Sequence, residues 1–401
     1  MQTIYSDISV PRILATRALS KLWKGAYLSR ISSVTFADQP DPPLPGPNHV
    51  RVRNRVSLIC GTDIHFVKAE GDPRIAPAAL PSTQRMYLGH EICGQVLEVG
   101  SEVTHLSPGD RVVLRYPLNS CHIQGIDPPC QYCAKGEWKL CENQADSEEP
   151  ATIGGGWSDQ FIAHQLHLYR PSEKLSDEEI SLIEPTSCGL HIVLRAMPQP
   201  QDKVMVLGCG SMGLMVIRAL HALAPESNVT AVARYPFQAE AARQFGADKV
   251  HVGKDIYEVT ADATGAKPYR GKMGGAMLLG GFDIVYDCIG IGSTLTDALR
   301  CARAEGLVVL VGNQFELLKV DLTPLWFQEV RLVAPMAHGM EQRQGETVET
   351  YELAARLFQS GDLTSDGIIT HRFHLSQWRE AVKTAMDKRK HQSIKVAFVF
   401  E

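Results

Sequence analysis

Two textures of apolar patterning divide the chain. Residues 49–60, HVRVRNRVSLIC, alternate polar and apolar positions and then run apolar into Cys60. That period of two predicts a half-buried strand ending at the cysteine. Residues 92–115 predict two further strands, joined by turns at Gly100-Ser101 and Pro108-Gly109-Asp110, and the proline-rich stretch 38–47 predicts a loop. Short strands with such turns predict a partly open barrel or sandwich.

The texture changes near residue 176. Ser176 followed by Glu179 is a capping box. The helix it opens is predicted to stop at Pro185, with a second running through His191 and Arg195. From Lys203 the strands VMVLG, NVTAVA, DKVHV, FDIVYDCIG and GLVVLVG are interleaved with the helices MGLMVIRALHAL and PFQAEAARQFG. That alternation predicts an α/β, doubly wound parallel sheet. Beyond residue 340, ETVETYELAARLFQSG and SQWREAVKTAMDKR predict helices and IKVAFVF a closing strand, a tail expected to return to the first domain.

Length and composition narrow the functions. With 401 residues, 44% of them hydrophobic and 21% charged, the chain reads as two or three globular domains rather than a disordered protein. Forty Lys and Arg against 45 Asp and Glu give a formal net charge of -5, and Lys388-Arg389-Lys390 is the one basic run that stands out. This balance argues against a nucleic-acid partner or an anionic membrane. Val204–Ile217 is uncharged but shorter than the roughly 20 apolar residues a membrane span needs. The early charges Asp7, Arg12, Arg17, Lys21, Lys24 and Arg30 interrupt any signal-peptide core. The expected compartment is the cytoplasm, where ten cysteines stay reduced and a cluster of them reads first as a metal site.

Gly208-Cys209-Gly210-Ser211-Met212-Gly213 follows a predicted buried strand and opens a predicted helix. That context makes the glycine pattern a dinucleotide loop rather than a plain turn. Gly208 suits the tight turn, Gly210 the approach of a pyrophosphate, and Gly213 close helix–strand packing, while the helix N-terminus faces the phosphates. Folds that prefer NAD carry an acid about 20 residues further on. Here that count reaches Ala233 and then Arg234, with no acid before Glu240. A guanidinium there pairs with a 2′-phosphate, so the expected cofactor is NADP over NAD.

Two constellations read as zinc ligands. Cys60-Gly61-Thr62-Asp63-Ile64-His65 ends a strand, and Gly89-His90-Glu91 follows 30 residues later. Thiolate, imidazole and carboxylate are zinc donors, and Glu184-Pro185 adds a further carboxylate. A lone cysteine at a strand end is usually core, so the combination carries the reading. Cys121, Cys130, Cys133 and Cys141 form the second group, with His122 as an alternative to Cys121. Four thiolates close a zinc site completely, which makes this one structural.

Together CGTDIH (60–65), GHE (89–91), GQVLEVGSEV (94–103), GDRV (109–112), the four-cysteine lobe, GGGWSDQF (154–161), GCGSMG (208–213) and DCIG (287–290) resemble the zinc-dependent medium-chain alcohol dehydrogenases from about residue 45 to the C-terminus. Glu184-Pro185 resembles their polyol and threonine dehydrogenase branch. The resemblance implies a GroES-like catalytic domain over 1–190 with a structural zinc lobe at about 117–145, a Rossmann domain over 191–338, and a return to the catalytic domain over 339–401. It implies a cleft holding one catalytic zinc, a second, structural zinc, and a homodimer or homotetramer. Cys60 and His90 match the fixed zinc ligands, and Glu91 and Glu184 both match carboxylates that bind the metal or stand near it. Thr62 and His65 match a proton relay. Gly208, Gly210, Ser211, Met212, Gly213 and Arg234 match the cofactor site. The chain departs from the family in the eight residues between Cys121 and Cys130, in the long stretch 69–85, and in the glycine-rich stretch 261–281.

The expected reaction is hydride transfer between a secondary alcohol, polyol or amino-alcohol in kind, and NADP. An NADPH-dependent reductase of an aldehyde or enal is the alternative within enzymes. A non-catalytic NADP-binding zinc protein is the alternative outside them; such proteins commonly lose catalytic ligands, whereas Cys60, Thr62, His65, His90, Glu91 and Glu184 are all present here. Tyr87, Tyr116, Trp157 and Trp326 are candidates for either pocket or core.

Overall fold

The computed structural model describes residues 1–72, 85–116, 119–144, 151–270, 272 and 276–401. Parts of the 69–85 and 261–281 stretches and the margins of the 117–145 lobe therefore lie outside the described residues. The chain divides into two compact units, Met1–Glu184 with Gly339–Glu401, and Pro185–His338.

In the first unit the strand His49–Leu58 is the hub. One of its edges pairs antiparallel with Glu91–Val99, in a register that sets Leu58 opposite Glu91. Its other edge pairs first with Gln160–His164 and then, near the strand's end, with Lys395–Val399, where Ala397 sits opposite Leu58. Arg111–Leu114, Leu168–Tyr169, Thr152–Ile153 and Ile369–Phe373 complete an eight-stranded sheet. Val50 and Val52 are fully buried while Arg53 and Arg55 are exposed, the alternation expected of a strand with one face in a core.

The N-terminal segment carries elements that the patterning did not predict. Gln2–Asp7 pairs with Val34–Asp38 and Arg85–Tyr87 in a three-stranded sheet, and Val10–Ser20 is helical. Trp157, fully buried, ties the tail, this small sheet and the loop before His90 together. Its ring meets Phe398 edge-on at 5.4 Å, its carbonyl accepts from the Ile4 N–H, and its N–H donates to the Leu88 carbonyl.

The second unit holds a six-stranded sheet with every neighbouring pair parallel. Its order is Lys249–Val252, Asn228–Ala233, Lys203–Leu207, Phe282–Asp287, Ala302–Leu310, Arg331–Val333. This is the doubly wound order, and the direction of winding reverses between the third and fourth strands of that list. The unbroken apolar run Val204–Val206 is fully buried, as parallel strands covered on both faces require.

Two local expectations need correction, and one stretch left without a predicted element gains one. Pro185 does not end a helix, because Asp177–Arg195 is one helix with the proline inside it. A proline there removes one backbone hydrogen bond, but residues 180–187 are all buried, so packing on both sides of the proline outweighs the loss. The capping box that opens this helix is present: the Ser176 N–H donates to Glu179 at 2.8 Å and the Glu179 N–H to the Ser176 hydroxyl at 3.2 Å. Glu346–Glu349 is a strand paired with Met340–Arg343, and the helix begins only at Thr350. Finally, the glycine-rich 261–281 stretch contains an antiparallel pair, Lys267–Arg270 with Ala276–Leu279, whose Leu278 is buried against Ala266 and Cys301.

Replacing Trp157 with alanine is expected to destabilise the first unit by about 3–5 kcal/mol, the usual cost of deleting a buried large aromatic. Urea unfolding followed in wild type and W157A checks this, and a midpoint unchanged within error would contradict it.

Candidate active site and metal centres

Strand register assembles the first candidate metal centre. Cys60 follows directly on His49–Leu58 and forms the N-cap of the helix Gly61–Val67. Because Leu58 faces Glu91, the start of the neighbouring strand brings His90 and Glu91 alongside Cys60. The Cys60 sulfur, a His90 ring nitrogen and a Glu91 carboxylate oxygen lie within 4.8 Å of one another. Glu184 is buried and belongs to the same unit, and its charge acts on His90.

Asp63 locks the loops that carry Cys60 and His90 together. One of its oxygens accepts the Cys60 N–H and the other the Gly89 N–H, each at 2.9 Å. Burial pushes its carboxyl up, against the pull of His90 and of these two amides. Gly89 has φ +82, and a Cβ there would sit 2.6 Å from the Trp157 ring, so the turn that delivers His90 requires glycine. Burial pulls the His90 imidazole down, but the Cys60 thiol, Asp63 and Glu184 outweigh it and hold His90 well above its ordinary value.

Behind Glu91 stands Lys395. Ala397 faces Leu58, so two residues earlier Lys395 falls beside Cys60, and its ammonium bonds both Glu91 oxygens. Both side chains are buried, at 2% and 1% exposure. Burial pulls the lysine down, and the charges of Glu91, Cys60 and Glu184 more than restore it. Nothing near Lys395 in the sequence signals this role, because its partner is 304 residues away. Asp63 lies inside a motif already singled out, and its fixed place between a cysteine and a histidine was the available signal.

Thr62 and His65 sit three residues apart on the Gly61–Val67 helix, hence on one face. The Thr62 hydroxyl is 3.8 Å from the Cys60 sulfur. His65 Nδ1 is in contact with the Glu70 carboxylate, a partner sequence reasoning missed. Among the four aromatics, Tyr116 meets the His90 ring edge-on at 5.0 Å. Trp157 is core, Tyr87 packs edge-on against Tyr5, and Trp326 in the second unit is 73% exposed.

The second centre gathers Cys121, Cys130, Cys133 and Cys141, whose sulfurs lie within 4.8 Å of one another. The Cys121 and Cys141 sulfurs are 3.6 Å apart, close to the roughly 3.8 Å edge of a tetrahedron with Zn–S bonds of about 2.3 Å. His122 is not among them and instead contacts the Cys133 carbonyl. Amides converge on the sulfurs: Cys130 N–H on Cys121, Cys133 N–H on Cys130, and Asn143 N–H on Cys141. Such donors pull the Cys130 thiol down to about 6, while burial pushes Cys133 up. Four sulfurs this close cannot all ionise without a cation among them, and the donor set therefore fits zinc.

In the second unit the glycine loop sits at the carboxyl end of Lys203–Leu207, where the winding reverses, beside the end of Phe282–Asp287. Gly208 has φ +96, and a Cβ at Gly213 would stand 1.9 Å from the Gly208 carbonyl oxygen. A Cβ at Gly210 would meet nothing within 4 Å, which leaves room for a phosphate over the loop. Ser211, Met212 and Gly213 form the first turn of the helix Ser211–Leu223, whose amide end suits that anion. Arg234 follows the strand Asn228–Ala233 directly, is exposed, and lies 5.4 Å over the Tyr235 ring. It has no carboxylate partner among the described residues. No helix among them is long and apolar enough to cross a membrane.

The chain is similar to known proteins. Residues 46–172 match the alcohol dehydrogenase GroES-like domain, and residues 211–355 match the zinc-binding dehydrogenase family. The chain is 32% identical to L-idonate 5-dehydrogenase of Vitis vinifera, over 88% of each chain. It is 30% identical to sorbitol dehydrogenase of Arabidopsis thaliana, over 89% of this chain and 90% of that one. Among solved structures, galactitol-1-phosphate dehydrogenase of Escherichia coli superposes with a TM-score of 0.72 at 21% identity, with full coverage of both chains. The chain therefore belongs to the zinc-dependent medium-chain alcohol dehydrogenases, among their polyol dehydrogenases, and is an alcohol dehydrogenase.

Proposed function

We propose that the protein transfers hydride between a secondary alcohol of polyol or amino-alcohol type and NADP. The observation that carries this reading is the Cys60–His90–Glu91 cluster with the Thr62 hydroxyl beside its sulfur. Cys60, His90 and Glu91 would hold the catalytic zinc, and Cys121, Cys130, Cys133 and Cys141 the structural one. Glu184 would face the position left for substrate, with Lys395 balancing the surplus carboxylate charge. When bound, the zinc supplies Lewis acidity at the alcohol oxygen and the nicotinamide supplies the hydride acceptor. Thr62 takes the hydroxyl proton and His65 carries it outward, a duty suited to an imidazole. The loop Gly208–Gly213 holds the pyrophosphate and Arg234 the 2′-phosphate. The relatives named for sorbitol and L-idonate support a polyol or its acid as substrate. Ten free thiols suit a reducing compartment such as the cytoplasm. The edge strand Arg331–Val333, exposed at all three residues and four residues beyond exposed Phe327, suits pairing with a second copy in a homo-oligomer.

Elemental analysis tests the ligand assignment. Wild type is expected to hold two zinc ions per chain. Cys60→Ala and Glu91→Gln are expected to hold one and lose turnover, whereas Glu184→Gln is expected to keep two and lose turnover. Full zinc content in E91Q would remove Glu91 from the ligand set.

Arg234→Ala is expected to raise KM for NADP roughly 10- to 100-fold, the loss of one charge-assisted contact, and to leave KM for NAD within a factor of about two of wild type. Equal losses for the two cofactors in absorbance assays would contradict the NADP assignment.

A further inference from the structure

We propose that Glu70 is the positioning residue of the His65 imidazole, and that the pair forms the outer end of the proton path from the substrate hydroxyl to solvent. This rests on the function proposed above. Nothing in the motif CGTDIH includes Glu70, and a backbone turn beyond the helix delivers it. The Gly61–Val67 helix ends at Lys68, and Ala69 then takes φ +53, a left-handed conformation that alanine adopts only under constraint. That reversal lets the Glu70 N–H bond the His65 carbonyl at 2.9 Å and folds the Glu70 carboxylate back onto His65 Nδ1. The turn is held from outside by Arg17 of the Val10–Ser20 helix, whose guanidinium donates to the Gly71 carbonyl at 2.5 Å.

The electrostatics suit the role. Lys68 places its ammonium 3.4 Å from the second Glu70 oxygen. Lys68 and Arg17 are two charged groups at this turn. Burial would raise the Glu70 carboxyl, but His65 and Lys68 outweigh it and keep Glu70 below its ordinary value, hence ionised. An ionised carboxylate on Nδ1 fixes the tautomer with Nδ1–H and leaves Nε2 as the basic nitrogen. His65 and Glu70 side chains are 18% and 30% exposed, so the pair lies where the interior meets water, and Glu70 lines a shallow recess with Ser6, Ile13 and Ser33. In each oxidation the alcohol O–H proton moves to Thr62 as the Thr62 proton moves to His65 Nε2, and hydride leaves the carbon for NADP. The imidazolium, held in place by Glu70, then returns its Nε2 proton to water. One alcohol and one NADP become one carbonyl, one NADPH and one released proton.

The test uses the full-length enzyme with Glu70→Gln, Glu70→Asp and Glu70→Ala. Two readouts are followed: the pH profile of alcohol oxidation, and long-range 1H–15N NMR of the histidine rings, with His65→Asn identifying the His65 signals. Glu70→Gln keeps a hydrogen-bond acceptor and removes the charge. It is expected to keep the Nδ1–H tautomer, to move the acidic limb of the profile to lower pH, and to lower kcat on the order of tenfold with KM for NADP unchanged. Glu70→Asp is expected to restore the limb, and Glu70→Ala to lose the single tautomer. An unchanged acidic limb and unchanged His65 signals in E70Q, beside an active wild type, would overturn the proposal. If wild type oxidises no alcohol, the proposed function fails, and the NMR readout still decides whether Glu70 sets the His65 tautomer.

Discussion

The catalytic half of the molecule depends on one antiparallel register. Leu58 faces Glu91 on one side and Ala397 on the other. Those two pairings draw Cys60, His90, Glu91 and Lys395 into one place from three separated parts of the chain. A shift of one residue in either pairing would turn the side chains of that strand to the opposite face of the sheet. The buried alternation of His49–Leu58 and the packing of Trp157 on Phe398 oppose such a shift. The C-terminal strand thus reaches the Cys60–His90–Glu91 cluster, although it lies more than 300 residues from Cys60.

Buried charge is the second constraint. Glu91, Asp63, Glu184 and Lys395 are each no more than 3% exposed. Charges removed from water cost free energy unless paired, and replacing such a pair with apolar side chains is often neutral or stabilising. Stability alone therefore does not explain this group. A place for a divalent cation would account for it: the Cys60 sulfur, a His90 ring nitrogen and a Glu91 carboxylate oxygen lie within 4.8 Å of one another, and Lys395 offsets the excess negative charge. Asp63 contributes rigidity, because its two amide contacts hold the backbones at Cys60 and Gly89 at once.

The second unit obeys a simpler rule. Its central strands are apolar throughout because both faces are covered, and a ligand for such a sheet sits where the winding reverses. The glycine loop occupies that point, and its crowding at Gly213 explains why the motif tolerates no side chain there. The cysteine lobe is also locally determined, since its four sulfurs come from one stretch of 21 residues and need little of the remaining fold to meet.

Local chemistry was legible in the sequence for a physical reason. Strand periodicity, the capping box at Ser176, the glycine loop, the cysteine lobe and the motifs bearing Cys60, His90 and Arg234 each arise from residues a few positions apart, whose backbone preferences act directly. Long-range packing decided the rest. It carried the helix through Pro185, because burial on both sides outweighs one missing hydrogen bond. It paired Lys395 with Glu91 and joined Cys60 to Gly89 through Asp63, contacts that sequence spacing does not encode. Glu70 lies between these cases: it is close to His65 in sequence, yet the left-handed turn at Ala69 that brings the two together depends on the surrounding fold.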